Sequence, residues 1–323
     1  MIFEQINQLG SRRIPFFFMI NFDGSEAVVL PLTDLAAHGI AVSFHGQPYG
    51  LEVQPVATAP CAVSTKPVSA STYRKGFACV QGGIQAGNSY LLNLTFPTDV
   101  TTDYTLEDIY LAAEAAYKVY WKDRLVFFSP EAFVRIADNR ISSFPMKGTI
   151  DAALPDALQQ LLDSRKELYE HYTIVDLIRN DLAMVADRVV VDRFRYHEKI
   201  ATASGREIYQ TSSEISGTLS PSWPDQLGTL LQRLLPAGSI SGAPKAKTLE
   251  IIREAEIDNR GFYSGVTGIF DGTSLSSCVN IRFLEQLCPG HYRYRSGGGI
   301  TCNSQCEEEY NELITKVYVP RLY

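Results

Sequence analysis

The chain predicts an α+β fold, and three observations carry it. Apolar runs with strand character occur in both halves, runs at helical spacing lie between them, and turn dipeptides such as Asp23-Gly24, Asp138-Asn139, Asp271-Gly272 and Pro289-Gly290 separate successive strands. Residues 16–22 and 27–31 read as an opening hairpin around Asp23-Gly24. Residues 45–71, rich in Pro, Ala, Ser and Gly, read as a loop or loose insertion. Tyr73, Phe77, Val80 and Ile84 fall at helical spacing, residues 89–96 read as a strand, and Leu106, Ile109, Ala113 and Tyr117 mark another helix. Residues 126–137 and 141–145 form a hairpin around Asp138-Asn139, and one long helix runs over 156–183 on Leu158, Leu161, Leu168, Tyr172, Val175 and Ile178. Further helices start near Asp225 and Pro244. Residues 262–270, 274–287 and 292–300 form an antiparallel meander before a last helix from Cys306.

Composition narrows the function. The 323 residues are 45% hydrophobic and 20% charged, an ordinary globular balance with material for a sizeable core. A net charge of −7 argues against a nucleic-acid partner or an anionic membrane surface, so an anionic ligand needs a local site. Cysteines 61, 79, 278, 288, 302 and 306 contain no CxxC, and the five histidines show no metal-ligand spacing, which fits reduced thiols. The longest apolar run, residues 14–22, is interrupted by Pro15 and Asn21 and is too short to span a bilayer. With no signal peptide evident, a cytoplasmic protein is expected.

The most informative stretch is residues 235–252, LPAGSISGAPKAKTLEII. Gly238, Ser239, Gly242 and Pro244 precede Lys245, Lys247 and an apolar-periodic run, so backbone N–H groups and a helix N-terminus could approach a carboxylate or phosphate. The spacing is not that of GxxxxGK[ST], and a tight turn before a surface helix is the other reading. If the 126–145 hairpin is centred on Asn139, Glu131 and Lys147 face each other with Cβ atoms about 5 Å apart. A two-residue loop would instead turn Lys147 away. The pair reads either as a surface ion pair or as an acid and an amine sharing one site. Glu167 with Glu170, and Glu309 with Glu312, each fall on one helix face, as a solvated face or a ligand pair would.

That stretch resembles the signature of the chorismate-utilising enzymes. SPEAF at 129, PMKGT at 145, HYTIVDLIRNDL at 171 and YRSGGGI with EEEYNELITKV from 294 recur in the order of that family. The resemblance covers residues 71–319. It implies a single domain over 1–323, with 1–70 a variable part of the fold and 71–323 the catalytic core, built as two packed antiparallel sheets flanked by helices.

It also implies roles. Glu131 matches the general acid that protonates the departing C4 hydroxyl of chorismate. Lys147 stands where anthranilate and isochorismate synthases usually carry alanine; a lysine there marks the aminodeoxychorismate synthase branch, in which it attacks C2 before ammonia adds at C4. The amine must be neutral to attack, and a protonated Glu131 would not oppose that. The resemblance assigns substrate carboxylates to Gly238, Ser239, Tyr263, Arg282, Gly297, Gly298, Gly299 and Lys316. It assigns Mg²⁺ to Glu170 and Glu312 directly, and to Glu167 and Glu309 mainly through water. Leu91 and Gln210 depart from the family pattern, and leucine cannot activate water. Since no cysteine sits in a GxCxG setting, ammonia is expected from a separate glutamine amidotransferase subunit.

Overall fold

In the computed structural model of the protein, which describes residues 2–54, 61–201 and 207–320, the strand Phe16–Ile20 shows how the layers arise. All five side chains are fully buried. Successive residues point to opposite faces of a strand, so Phe16, Phe18 and Ile20 enter the largest core, while Phe17 and Met19 enter a second. The second core draws Ile269 and Cys278 from one sheet and Val42, Val119, Phe127 and Phe283 from the other, and so fills the space between them. A third core lies between the other face of the second sheet and the helix Leu106–Ala112.

Both sheets are antiparallel. The first runs Met146–Asp151, Glu207–Thr218, Arg140–Ser143, Ala132–Ala137, Leu275–Val279, Val266–Phe270, Phe16–Ile20 and Ala27–Pro31, with Asp187–Ala201 also paired to Glu207–Thr218. The second runs Gly242–Ala243, Leu91–Thr102, His291–Ile300, Phe283–Cys288, Leu125–Ser129, Tyr117–Trp121, Ile40–Phe44 and Gln47–Gly50, with Val63–Pro67 also paired to Leu91–Thr102. Helices flank them, so the α+β expectation with two packed antiparallel sheets holds. No helix among the described residues is long and apolar enough to cross a membrane.

Several expected elements form as read. The opening hairpin pairs Phe16 with Pro31 and Ile20 with Ala27. The helix Ala70–Gln85 buries Tyr73, Phe77, Val80 and Ile84, and its first turn is capped where Ser69 Oγ accepts the Thr72 N–H at 3.2 Å.

Other expectations are corrected. The segment 126–137 is not one strand: Leu125–Ser129 belongs to the second sheet and Ala132–Ala137 to the first, divided at Pro130, which has no N–H for a ladder. Residues 274–287 divide in the same way, into Leu275–Val279 and Phe283–Cys288, so the meander is shared between the sheets. The long helix breaks into Ala157–Asp163 and Arg165–Ala183 because Ser164 leaves helical geometry to accept the Glu167 N–H. The helix at Leu106 ends at Ala112, and Tyr117 opens a strand. Within 45–71 lie the strands Gln47–Gly50 and Val63–Pro67, while residues 55–60 of that expected loop fall outside the described residues. The helix Ile2–Ser11 and the long strands Asp187–Ala201 and Glu207–Thr218 are found only in the structure.

Candidate active site

The two strand crossings are hydrogen-bonded to each other. Val279 N–H donates to the Glu131 carbonyl at 3.1 Å, and Phe128 N–H donates to the Arg282 carbonyl at 3.3 Å. Arg282 takes φ 54°, the bend that moves its chain between sheets. Glu131 and Arg282 are thus placed where ladders part, and a cleft of about 290 Å³ opens there. That is close to the smallest size usual for a small-molecule site, roughly 300 Å³.

All ten residues expected to act on or bind substrate line this cleft: Glu131, Lys147, Gly238, Ser239, Tyr263, Arg282, Gly297, Gly298, Gly299 and Lys316. Leu91 and Gln210, the two departures from the family pattern, line it too. Among the described residues His291–Ile300 has a second ladder only up to Arg295, so one edge of its glycine run faces no strand. A Cβ on Gly297 would lie 2.1 Å from the Leu94 carbonyl oxygen, whereas one on Gly299 would meet Leu91 Cδ1 at 3.1 Å on the cleft side. Close strand packing therefore explains the first glycine, and access to the cleft the last.

Glu131 and Lys147 do share the cleft, although the expected register does not bring them there. Asp138 and Asn139 both have positive φ and form a two-residue turn that pairs Ala137 with Arg140 and Ile136 with Ile141. Lys147 is not in that hairpin; its strand, Met146–Asp151, pairs with Glu207–Thr218. Its Nζ lies 3.5 Å from Glu170 Oε2. Glu131 Oε1 instead accepts a hydrogen bond from Ser239 Oγ at 2.7 Å. Burial pushes the Glu131 carboxyl above its ordinary range, against the opposing pull of the Ser239 bond and of the charges on Lys147 and Lys316. A carboxyl held in that way keeps its proton to higher pH and can donate it.

Lys316 follows the helix Cys306–Thr315 and bridges Glu312 Oε1 at 2.6 Å and the Gly297 carbonyl at 2.8 Å, while Arg282 Nη1 donates to its carbonyl at 3.1 Å. None of the four glutamates is itself in the cleft wall. They stand directly behind it: ideal Cβ positions on Gly148 and Gly298 lie 3.0 Å from Glu167 Oε2 and 3.1 Å from Glu312 Oε1. Burial and then the neighbouring Glu170 raise Glu167; burial also raises Glu309, which Glu312 pushes further up. Lys166 pulls both back down. The all-oxygen donor set and its mutual repulsion suit a hard divalent cation. Among the described residues no three such groups converge on one point, and lysine ammoniums are their cationic neighbours.

Of the stretch 235–252, Gly238 and Ser239 line the cleft, whereas Lys245 and Lys247 are not in its wall. Lys245 Nζ pairs with Asp181 Oδ1 at 3.0 Å and donates to the Leu234 carbonyl, while Lys247 pairs with Glu250 on the surface. Sequence reasoning gave Asp181 no role and missed Arg295 in the cleft wall. Arg295 is held by Glu256 at 3.0 Å and by the half-buried Asp258 at 2.6 Å, and Glu256 by Arg260 at 2.7 Å, a network whose charges are all paired. Glu256 and Arg260 carry a visible i, i+4 signal; nothing local connects them to Arg295.

The chain is 52% identical over 317 residues to an uncharacterised PabA-like protein of Pasteurella multocida, covering 98% of this chain and 97% of that one. It is 31% identical over 262 residues to aminodeoxychorismate synthase component 1 of Escherichia coli, covering 76% of this chain and 56% of that protein. Its fold matches MenF, the menaquinone-specific isochorismate synthase of Escherichia coli, with a TM-score of 0.69 and 15% identity over 96% of this chain and 89% of that one. Residues 51–321 match the chorismate binding enzyme family, and with the two-sheet fold and its cleft this establishes that the chain belongs to that family.

Proposed function

We propose that this chain is the synthase subunit of an aminodeoxychorismate synthase, converting chorismate and ammonia to 4-amino-4-deoxychorismate, a precursor of p-aminobenzoate and folate. The observation that carries the reading is Lys147: a primary amine lines the same cleft as the carboxyl of Glu131, at the position that distinguishes this branch. The similarity to the Escherichia coli synthase component supports it.

In this reading the Lys147 amine adds at C2 of chorismate and the ring electrons shift to expel the C4 hydroxyl, which leaves as water with the proton of Glu131. Ammonia then adds at C4, the electrons shift back, the C2–N bond breaks and Lys147 is released. The new ammonium group returns one proton to Glu131, so the cycle closes. Arg282, Lys316 and the open edge of the glycine strand hold the substrate carboxylates, and Leu91 offers nothing to activate water. Glu167, Glu170, Glu309 and Glu312 would hold Mg²⁺, which when bound supplies charge that anchors a substrate carboxylate. Ammonia comes from a separate glutaminase subunit.

The test is product identity. The purified chain with chorismate, Mg²⁺ and ammonium at mildly alkaline pH is expected to form material that aminodeoxychorismate lyase converts to p-aminobenzoate. Anthranilate as the product would overturn the reading in favour of an anthranilate synthase component. Bound chorismate without amination would make the chain a non-catalytic homologue.

A further inference from the structure

Ser239, the hydrogen-bond partner of Glu131, sits in a single helical turn, Gly238–Ser241, too short to hold its own position. Its anchor is Asp181, at the end of the helix Arg165–Ala183 and 8% exposed. The Asp181 carboxylate packs against Gly238 and pairs with Lys245 Nζ at 3.0 Å. That same ammonium donates to the Leu234 carbonyl at 2.8 Å, so one cation joins both ends of the segment 234–245 to one carboxylate. The fit is tight: a Cβ on Gly238 would stand 2.6 Å from Asp181 Oδ2. Glu131, Ser239 and Asp181 also border one small cavity of about 20 Å³, otherwise walled largely by apolar side chains such as Phe133, Ile178 and Leu234.

We propose that Asp181, braced by Lys245, is a positioning residue for the proton donor: through Gly238 it holds Ser239 within reach of Glu131. The inference rests on Glu131 acting as the acid. Loss of either Asp181 or Ser239 removes a hydrogen bond to the ionised form of Glu131, leaving burial to raise its pKa further. The other groups acting on Glu131 are Lys147 and Lys316, and buried Cys278 lies within its field; Lys245 and Tyr90 are the groups coupled to Asp181.

The experiment is a double-mutant cycle on the full chain, with Asp181→Asn, Ser239→Ala and their combination, measured as ammonium-dependent turnover of chorismate across pH. Each single variant is expected to lose about tenfold in kcat, the scale of one hydrogen bond to a charged group, with little change in KM. The double variant should be no slower than the worse single one, and the high-pH limb of the profile should move upward equally in both singles. Losses that multiply, or a limb that moves in Ser239→Ala and not in Asp181→Asn, overturn the proposal. If Asp181→Asn fails to fold, Lys245→Met takes its place in the same cycle under the same criteria. Glu131→Gln separates the two readings. Full turnover in that variant removes the acid and the proposed function together, whereas an inactive Glu131→Gln beside multiplying losses removes the positioning role alone.

Discussion

Lys147 Nζ lies 3.5 Å from Glu170 Oε2, so the amine of the cleft is paired with a carboxylate on the helix behind it and not with Glu131. Lys316 and Glu312 repeat the arrangement at 2.6 Å. Each lysine of the cleft is therefore tied to one glutamate, Lys147 in the first acidic pair and Lys316 in the second.

Removing the amine tests the first of these lysines. Lys147→Ala is expected to lower formation of 4-amino-4-deoxychorismate by at least about a hundredfold, with chorismate affinity within a few-fold of wild type. Lys147→Arg should not restore it, because a guanidinium does not become a neutral nucleophile. Single-turnover kinetics with product analysis check both; undiminished para-amination in Lys147→Ala would remove the covalent role.

Removing the cation tests the glutamates. Chelation is expected to abolish turnover reversibly, and Glu170→Gln and Glu312→Gln should each weaken Mg²⁺ binding by about 10- to 100-fold in calorimetric titration. Gly298→Ala should retain the fold yet weaken Mg²⁺ as well, since its new methyl would stand 3.1 and 3.2 Å from carboxylate oxygens of Glu312 and Glu309. Unchanged Mg²⁺ affinity in Glu170→Gln and Glu312→Gln would show that the ion is held elsewhere.

Glu131 has an expected signature in stability. Its folded-state pKa is raised by burial, so its contribution is fully present below the unfolded-state pKa and is lost as pH rises through the folded-state value. Glu131→Gln is therefore expected to melt above wild type at about pH 8 and not at about pH 4, while losing turnover at both. A variant with no gain at the higher pH would show that the carboxyl carries no such burden.

The sandwich interior makes a prediction free of chemistry. Phe17 is fully buried between the sheets, and Phe17→Ala should cost about 3 to 5 kcal/mol in denaturant unfolding. A loss below about 1 kcal/mol would mean that the inter-sheet core closes over the gap.

Local chemistry made much of this protein legible. Helical spacing located Tyr73, Phe77, Val80 and Ile84 on one buried face, and the Asp-Gly turn located the first hairpin, because side-chain period and turn preference are properties of short segments. The ordered motifs identified the residues of the cleft, which line it together. Where strands change partners is a different matter. Apolar character runs through 125–137 and 275–288 alike, and only the competition between two sheets decides that the chain leaves one for the other at Glu131 and near Arg282.

The pairing of Glu131 and Lys147 makes the same point. Residue order is enough to locate an acid, an amine and two glutamate pairs, and to show that their surroundings alternate strand and helix. The hairpin register that was expected to join Glu131 to Lys147 does not form, because Asp138 and Asn139 make a two-residue turn and a separate strand carries the lysine. Packing of the whole chain brings the two into one cleft, pairs Lys147 with Glu170 and sets Asp181 against Gly238, 57 positions away. Burial, ion-pair geometry and the limited space beside a glycine depend on which surfaces pack together, and no local pattern encodes that.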